Sequence, residues 1–484
     1  MNELRGIGLD VGDVPTQAFV GGEWRRAQDT FPVLSPVTGE VVARISDCGP
    51  SLASEAVLLA SEAFRSWRER TVFERAEVLR RWARLIEDHS DTLGCLVTLE
   101  MGKPIKEAIG EVVGAARAVE WTAQEACRVH GELLPSEAAG RWLYVHRRPV
   151  GVVFGITPWN FPVSMVTRKA APALAVGCAF ILKPSEETPL AALFLARLWA
   201  EAGGPPGTLQ VLPTVDPAPL AAAVIADARV AKLTFTGSTA VGRALNEAAA
   251  RTLKRVSLEL GGHAPLIVFA DADIQAAAKG AVVAKYRNGG QTCISANRVY
   301  VEERVGGPFL EALAEETSRL VVGDPFDERT EVGPLVNRQA VEKVRSHVAD
   351  ALSAGARLVC GGDGDGLYFS PTVVADVNAR MLVMCQETFG PVAPVASFVN
   401  DDEAISLANG TPYGLAAYFW TRDAKRITNV IEKLEFGIVG VNDARPLQFH
   451  VPFGGVKDSG LGREGGRWGV DEYLEVSYAG INWQ

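Results

Sequence analysis

One of the seven cysteines in the chain stands in a different setting from the rest. Cys293 lies in a polar, Gly-rich turn at residues 288–295, just ahead of a strand-like run at residues 298–301. Glycines permit close backbone approach, so this turn could expose a thiol to a small molecule. The other cysteines mostly have apolar neighbours, which is typical of small core residues: Cys48, Cys95, Cys127, Cys178, Cys360 and Cys385. The turn is compatible with a nucleophilic thiol and equally with a buried loop thiol.

Two other segments place polar side chains directly after strand-like runs. In residues 158–162, two prolines restrict the loop that carries Asn160, whose side-chain N–H groups could donate to an oxyanion. In residues 183–189, Lys183 and Glu186 follow a buried strand at its carboxyl end, where ligands of open α/β sheets bind, and both could hydrogen-bond ribose hydroxyls. A turn-forming asparagine and a solvated helix start are the structural alternatives.

A strand-to-helix junction at residues 236–242 has the chemistry of a phosphate site. Ser238 is a good N-cap, and Gly237 and Gly242 permit a close approach to the free N–H groups of the helix start. The spacing is GxxxxG, which is neither the usual dinucleotide fingerprint nor, without a following Lys-Ser/Thr, a P-loop. An ordinary strand-to-helix turn stays open as the alternative.

The elements that must position these residues alternate between strand and helix. Residues 51–93 and 105–130 have helical apolar spacing, whereas residues 132–148 alternate as a solvent-edged strand or hairpin does. The tail at residues 473–478 alternates like an edge strand. Strands are predicted at residues 150–156, 179–183, 209–212, 231–236, 255–260 and 264–269, and helices at 167–176, 189–201, 217–226 and 274–285. This order predicts two α/β domains with parallel, helix-covered sheets and a small β element.

Composition limits the class of protein. A chain of 484 residues is too long for one ordinary domain and suggests about two to four. Its 48% hydrophobic and 22% charged residues allow large buried cores. A formal net charge of −10 argues against nucleic acid or an anionic membrane as the main partner. The cysteines form no CxxC pair and no Cys/His cluster, which argues against a disulfide framework and against a metal site.

Targeting and membrane signals are weak in this sequence. No signal-peptide-like apolar stretch follows the first residues. The longest apolar run, residues 170–182, is too short to span a bilayer and is bracketed by Lys169 and Lys183. We therefore expect no membrane partner and a reducing cytoplasm.

Eight segments, in order and over nearly the whole chain, resemble motifs of the NAD(P)-dependent aldehyde dehydrogenase superfamily. Any one of them could arise by chance, but the set is specific. They are Pro158-Trp159-Asn160-Phe161-Pro162, Lys183-Pro184-Ser185-Glu186, Gly204-Pro205-Pro206-Gly207, Phe235-Thr236-Gly237-Ser238-Thr239, Leu258-Glu259-Leu260-Gly261-Gly262, Gly290-Gln291-Thr292-Cys293, Glu387-Thr388-Phe389-Gly390-Pro391 and Pro452-Phe453-Gly454-Gly455.

The resemblance implies an α/β fold of two Rossmann-like parallel-sheet domains plus a small β oligomerisation element. An NAD-binding domain is expected at residues 1–129 and 147–256, and a catalytic domain at residues 257–465. The oligomerisation element is expected at residues 130–146 and 466–484. Because edge strands of this kind need a partner, we expect a homo-oligomer, at least a dimer.

The resemblance also implies catalytic roles. Cys293 attacks the aldehyde carbonyl as a thiolate, and the oxyanion is held by the Asn160 amide and the Cys293 backbone N–H. After hydride transfer, Glu259 activates the water that hydrolyses the thioester. Lys169 resembles a lysine that handles protons in the family. The structural alternative for Glu259 is a strand-end carboxylate paired with a base such as Lys254.

The family's dinucleotide positions are also present in this chain. Beside the adenosine ribose, Glu186 can accept from a 2′-OH and would repel a 2′-phosphate, which favours NAD over NADP. The cofactor residues expected from the resemblance are Ile156, Trp159, Lys183, Ser185, Glu186, Gly207, Gly237, Ser238, Gly242, Glu387 and Phe389.

Within the superfamily the chain is most similar to the succinate-semialdehyde dehydrogenase branch. Arg168 and Arg287 stand where relatives that use simple aliphatic aldehydes tend to carry aromatic residues, and two guanidinium groups could clamp a distal carboxylate. The alternative is that one or both arginines have a structural role.

Three departures from that branch affect the expected site. Ser295 replaces a cysteine that the branch often carries, so a local Cys–Cys switch is absent. The loop at residues 444–450 lacks the serine pair that would assist carboxylate binding, and Leu447 and Phe449 could make the tunnel more apolar. Gln210 stands where asparagine is usual.

Rival functions remain open from the sequence. A CoA-acylating enzyme is disfavoured because Glu259 and Asn160 both suit hydrolysis. An NAD-dependent dehydrogenase of aromatic or medium-chain aldehydes is the enzymatic alternative. A non-catalytic binding protein with this fold would usually lack the nucleophile or the base, and here both are present.

Overall fold

The computed structural model of the protein describes residues 14–483. Its strands are β1 (Ala18–Val20), β2 (Glu23–Arg25), β3 (Asp29–Leu34), β4 (Val41–Asp47), β5 (Glu132–Leu134), β6 (Arg141–Pro149), β7 (Val152–Ile156), β8 (Ala179–Lys183), β9 (Leu209–Val211), β10 (Val230–Thr236), β11 (Arg255–Glu259), β12 (Ala264–Val268), β13 (Ala296–Glu302), β14 (Arg357–Cys360), β15 (Thr372–Ala375), β16 (Val392–Phe398), β17 (Tyr413–Gly414), β18 (Ala416–Trp420), β19 (Ile438–Val441), β20 (Val456–Lys457), β21 (Gly460–Leu461) and β22 (Leu474–Asn482).

Helices connect and cover these strands. They are α1 (Pro50–Trp67), α2 (Val72–Asp88), α3 (Ser90–Met101), α4 (Ile105–Ala126), α5 (Ser164–Val176), α6 (Pro189–Glu201), α7 (Pro217–Ala226), α8 (Thr239–Ala250), α9 (Ile274–Tyr286), α10 (Gly306–Ser318), α11 (Arg338–Ser353), α12 (Leu382–Cys385), α13 (Asp401–Asn409), α14 (Ala424–Lys433) and α15 (Gly466–Asp471). Among the described residues, no helix combines the length and the apolar character that crossing a bilayer requires.

Two large sheets form the α/β body, as the strand–helix alternation predicts. The first has the order β2-β1-β9-β8-β7-β10-β11-β21. Its five middle strands, β9, β8, β7, β10 and β11, are parallel, and β1 and β21 pair antiparallel with the outer two of them. The second has the order β14-β15-β16-β13-β12-β18-β19 and is parallel except at β14. The fold class is therefore confirmed, whereas the functional boundaries at residues 129, 147, 256 and 465 stay predictions.

Helices cover both faces of the first sheet because its strands are apolar on both sides. In β8, Phe180 and Leu182 join the core under α2 to α6, while Ala179 and Ile181 join the core under α1 and α7. Successive strand residues point to opposite faces, so one short apolar strand serves two cores.

The small β element consists of β22, β6 and β5 in that order. The β22 strand pairs antiparallel with β6 along its full length, with Tyr478 opposite Val145. The predicted hairpin and edge strand are confirmed. The element leaves large apolar side chains exposed, among them Trp142, Val476 and Tyr478.

Residues 51–93 are helical, as predicted, but they do not form one continuous helix. The structure has three helices there, α1, α2 and the start of α3. A capping box causes the first break: the Thr71 side chain accepts from the Glu74 N–H, and the Glu74 carboxylate accepts from the Thr71 N–H. This arrangement satisfies the free donors of a new helix start. The short strands β1 to β4 were not predicted, because their apolar runs are brief.

Strand register brings the carboxyl ends of four strands to one edge of the first sheet. Ile156 lies opposite Lys183, Phe235 opposite Ile156, and Thr236 opposite Glu259. The loops that follow these strands carry the polar residues singled out from the sequence. Ligands of open α/β sheets bind at this edge.

Candidate active site

Left-handed backbone shapes the turn that carries Cys293. After α9, Asn288, Gly289 and Gly290 have φ values of 53°, 62° and 74°. A Cβ on Gly290 would lie 2.3 Å from the Gly390 carbonyl oxygen, and one on Gly262 would lie 2.2 Å from the Cys293 carbonyl oxygen. The close backbone approach predicted for this turn is present, and glycine is required for it.

The Cys293 thiol is only partly exposed. Burial, followed by the nearby carboxylates of Glu387 and Glu259, raises the pKa of this thiol to about 12. The Arg168 guanidinium acts in the opposite direction. Without a ligand the thiol is therefore protonated, and its attack on a carbonyl requires a base that removes the proton.

Glu259 has the properties of such a base. It ends β11, is buried, and neither carboxylate oxygen has a hydrogen-bond partner among the described residues. Burial and then the Glu464 carboxylate raise its pKa well above the ordinary value, while Lys169 and Arg168 oppose that shift. The alternative pairing with Lys254 is wrong, because the Lys254 ammonium donates to the carbonyls of Asp227 and Val230.

Lys169 forms a buried ion pair with Glu464 and lies 3.3 Å from the Thr234 hydroxyl. Through this pair the structure links Lys169 to the environment of Glu259, as the charge effects on the Glu259 pKa indicate. Sequence reasoning missed Glu464. The available signal was a carboxylate within the Gly-rich run at residues 460–466.

Asn160 is held in place by three hydrogen bonds. Its side-chain amide donates to the Gln291 carbonyl at 3.1 Å, while its own carbonyl accepts from Lys103 at 2.8 Å and from the Asn288 amide at 3.1 Å. Lys103 is itself buried in an ion pair with Glu111. These contacts join the loop of Asn160 to the nucleophile turn. Sequence reasoning missed both members of the buried pair.

One cavity of about 310 Å³ contains the nucleophile and five of the eleven predicted cofactor residues. Trp159 and Phe389 meet edge to face, with ring centroids 5.5 Å apart. Glu387 accepts from the Gly262 N–H at 3.2 Å, and burial raises its pKa to about 7. The predicted residues in its wall are Trp159, Asn160, Gly237, Ser238, Cys293, Glu387 and Phe389.

The remaining predicted cofactor residues lie outside that wall. Ile156, Lys183 and Ser185 lie at the ends of β7 and β8. The Lys183 ammonium donates to Glu186 at 2.8 Å, and the Glu186 side chain keeps 45% of its surface exposed.

Two of the predicted glycines have a packing reason of their own. Gly207 has a φ of 78° and lies against α1, where a Cβ would meet the Leu59 carbonyl oxygen at 3.0 Å. Gly242 packs on Leu260, where a Cβ would meet a methyl carbon at 2.3 Å. Their residue type is explained without a ligand, and their cofactor role stays a prediction.

A second cavity of about 360 Å³ brings together the three residues predicted to contact substrate. Arg168 lies over the Phe453 ring at 4.6 Å, and Arg287 lies over the Phe161 ring at 5.2 Å. Across residues 14–483, neither guanidinium forms an ion pair with a carboxylate within 4.0 Å. Phe449 forms part of the same wall and is 38% exposed.

Family comparison agrees with this geometry. The model of the aldehyde dehydrogenase family matches residues 24–479. The chain belongs to the aldehyde dehydrogenase family. It is an NAD(P)-dependent enzyme that acts on an aldehyde, and the resemblance of its motifs to this family is confirmed.

Similar aldehyde dehydrogenases include a mitochondrial succinate-semialdehyde dehydrogenase of Arabidopsis thaliana. That protein is 49% identical over 481 residues, which cover 98% of this chain and 90% of the relative. The succinate-semialdehyde dehydrogenase (NADP+) of Escherichia coli strain K12 is 46% identical, with 96% of this chain and 97% of the relative covered. A solved succinate-semialdehyde dehydrogenase of Burkholderia pseudomallei is 46% identical with a TM-score of 0.96, covering 97% and 98% of the two chains.

Proposed function

We propose that this aldehyde dehydrogenase oxidises an ω-carboxy aldehyde, such as succinate semialdehyde, to the dicarboxylate with NAD. The observation that carries the proposal is a cavity containing two guanidinium groups, those of Arg168 and Arg287, neither of which forms an ion pair within 4.0 Å among the described residues. Glu107 and Glu259 interact with them only at longer range. Two such groups match a carboxylate in charge and geometry. The names of the similar proteins support the same substrate class.

The chemistry rests on three residues of this chain. The Cys293 thiol adds to the carbonyl carbon as its proton passes to a base, and the Asn160 amide donates to the oxyanion. Loss of hydride from the adduct leaves a thioester on Cys293. Glu259, with its raised pKa, then takes a proton from water, whose oxygen attacks the thioester and releases the acid.

The residues around the first cavity suit a dinucleotide. The Thr236 hydroxyl lines it and is buried without a partner among the described residues. The N-terminus of α8, capped by Ser238, offers backbone donors of the kind that bind phosphate. When bound, the nicotinamide supplies the hydride acceptor. Glu387 and Phe389 would contact its end of the cofactor, and Lys183 and Glu186 the adenosine ribose.

We favour NAD over NADP because of the half-exposed Glu186 carboxylate. It lies 2.8 Å from the Lys183 ammonium, so the pair presents a carboxylate where a 2′-phosphate would need a cation. The Escherichia coli relative is named for NADP, so the family itself does not decide between the two cofactors.

We also propose a homo-oligomer in a reducing compartment such as the cytoplasm. The outer edge of β22 and the exposed apolar residues of its sheet favour a partner subunit. All seven cysteines are unpaired, which is typical of a reducing environment.

The test compares two substrates in one variant. Arg287→Leu should lower kcat/KM for succinate semialdehyde far more than for hexanal, by about 2–4 kcal/mol in transition-state free energy, because a desolvated carboxylate loses its partner. Arg445→Leu is the matched control, since this exposed arginine lies in the neighbouring loop outside the cavity wall. Equal losses on both substrates would assign Arg287 a structural role and contradict the proposal.

A second candidate is an NAD-dependent dehydrogenase of aromatic or medium-chain aldehydes. Leu447 and Phe449 line the second cavity in place of hydroxyl side chains and favour this function. Faster NADH formation with benzaldehyde or hexanal than with any ω-carboxy aldehyde would support it. Absence of turnover on every aldehyde, with and without CoA, would support a non-catalytic protein.

A further inference from the structure

One wall of the substrate cavity is formed by the helix α4, and two of the α4 residues in it, Gly110 and Gly114, have no side chain. Glu111, Arg117 and Thr122 of the same helix also line the cavity. Gly110, Gly114 and Ala118 follow one another at a spacing of four residues, which places them on the same helix face. All three line the cavity that contains Arg168 and Arg287. The cavity therefore owes part of its width to the absence of side chains at Gly110 and Gly114.

Packing does not explain the two glycines on this face. A Cβ built on either Gly110 or Gly114 would meet no heavy atom within 4 Å, and neither has a left-handed φ. On the preceding helix, by contrast, a Cβ on Gly94 would meet Ile109 at 2.6 Å. A glycine inside a helix destabilises it by about 1 kcal/mol relative to alanine. At Gly110 and Gly114 this loss of helix stability is not offset by closer packing, because the space beside both residues is empty.

Another part of the cavity lining carries large apolar side chains. Leu447, Phe449 and Phe453 line the cavity, and the Trp121 ring lies near Phe449, with centroids 6.4 Å apart. Arg117, which is exposed on α4, also lines the cavity. A substrate in this cavity would have an apolar segment between Leu447 and the α4 wall and an anionic end near a guanidinium group.

We infer that Gly110 and Gly114 set the substrate size and select a bulky ω-carboxy aldehyde. A six-carbon substrate, or one with a benzene ring between the aldehyde and the carboxylate, would fill the space beside these glycines. A four-carbon substrate would leave that space to water and lose apolar contact with Leu447 and Phe449. This inference rests on the proposed function, because it assumes that an anionic end group is recognised.

The experiment fills the space and compares substrates of different size. We expect the wild-type enzyme to show a kcat/KM for 4-carboxybenzaldehyde or 6-oxohexanoate about tenfold above that for succinate semialdehyde. Gly114→Leu should reverse this order, with a loss of about tenfold or more on the bulky substrates and a change within about threefold on succinate semialdehyde. Leucine is a good helix former, so the variant should fold.

The variant Gly114→Ala separates the effect of side-chain size on substrate choice from the effect of glycine on protein stability. Alanine removes the conformational cost of glycine, so the ligand-free Tm should rise by about 1 °C, and its single methyl group should change the substrate order less than leucine does. A wild-type preference for succinate semialdehyde over both longer substrates would overturn the inference. So would a Gly114→Leu enzyme that loses all substrates equally together with its oligomeric state, because Gly114 would then belong to a subunit contact.

The outcome also distinguishes this inference from the proposed function. If hexanal and benzaldehyde exceed every carboxylated aldehyde, the proposed function fails. If carboxylated aldehydes are preferred but the shortest of them is best, the proposed function stands and the size inference fails.

Discussion

Glu259 contributes to the protonation state of the Cys293 thiol. Burial is the largest cause of the raised pKa of each group, and the carboxylates of Glu387 and Glu259 raise the pKa of the thiol further. A thiol with a pKa of about 12 is a poor nucleophile near neutral pH unless a base takes its proton as it attacks. The carboxyl with a raised pKa is suited to that task, because its affinity for protons lies closer to that of the groups it must deprotonate.

Removing the Glu259 carboxylate should change both the rate and its pH dependence, as expected for the proposed base. Because the pKa of Glu259 is raised, the carboxylate form appears only as the pH rises through that elevated value, so the wild-type kcat should increase with pH. Glu259→Gln should lower kcat by about 100-fold or more and flatten this limb of the profile. Steady-state NADH formation from pH 5 to 9 measures both effects. A variant that keeps the wild-type pH slope would contradict a role for Glu259 as the base.

We expect one residue, Glu186, to determine the preference for NAD over NADP. Replacing Glu186 by serine removes a carboxylate 2.8 Å from the Lys183 ammonium and frees that cation for a 2′-phosphate. We expect kcat/KM for NADP to rise by about tenfold and that for NAD to fall, since charge pairing of this kind amounts to about 1–3 kcal/mol. Comparable efficiency of the wild-type enzyme with both cofactors would refute the preference for NAD. Glu201→Ser, which removes an exposed carboxylate that pairs with Arg197 at 2.8 Å on α6, is the matched control.

At the scale of elements, α11 supports the segment that carries Glu387 and Phe389. The buried His347 ring nitrogen lies 3.1 Å from the Thr388 hydroxyl, and the earlier turns of the same helix line the cofactor cavity. Phe389 has a φ of 56°, a strained conformation for a bulky residue that the surroundings must maintain. We expect His347 to act as a positioning residue for the cofactor.

His347→Ala should therefore raise KM for the cofactor by about threefold to tenfold with little change in kcat, because one hydrogen bond of about 1 kcal/mol is lost. Thr388→Ser keeps the hydroxyl and should behave as the wild type, whereas Thr388→Val should match His347→Ala. Burial lowers the pKa of His347 to about 4, so the ring stays neutral during turnover and the KM effect should not depend on pH above about 6. A proportional fall in kcat and protein stability would indicate a purely structural contact.

At the scale of the whole molecule, the three-stranded sheet should decide the assembly state. Val476 is 65% exposed and lies on β22, the edge strand of that sheet. A lysine there should weaken subunit association, since a charge on an edge strand opposes pairing with another chain. Light scattering coupled to size-exclusion chromatography should give a smaller mass for Val476→Lys. Val399→Lys, on a surface turn with 59% exposure, should leave the mass unchanged.

Much of the site could be predicted from local sequence. Cys293 lies in a left-handed, Gly-rich turn and Ser238 caps a helix, because turn glycines and cap residues depend on neighbours within a few positions. The strand–helix alternation predicted both parallel sheets. Helix breaks were missed where a capping box, rather than glycine or proline, begins the next helix.

Residues that act through distant partners could not be predicted in this way. The ion pair of Lys169 with Glu464 joins positions 295 residues apart. Lys254, the alternative partner considered for Glu259, instead donates to two backbone carbonyls. Long charged side chains reach partners that only the folded chain brings near, and a buried charge must find one.

The sequence by itself determined the family, the α/β class and the identity of the residues that could react, because these depend on local patterns and short motifs. Only the tertiary structure decided which of these residues share a cavity, and that Glu259 lacks a partner among the described residues. It also showed that Gly110 and Gly114 border open space in the cavity and are not required for tight packing. Burial, cavity shape and the electrostatics of a buried carboxyl arise from segments far apart in the chain, and no local pattern records them.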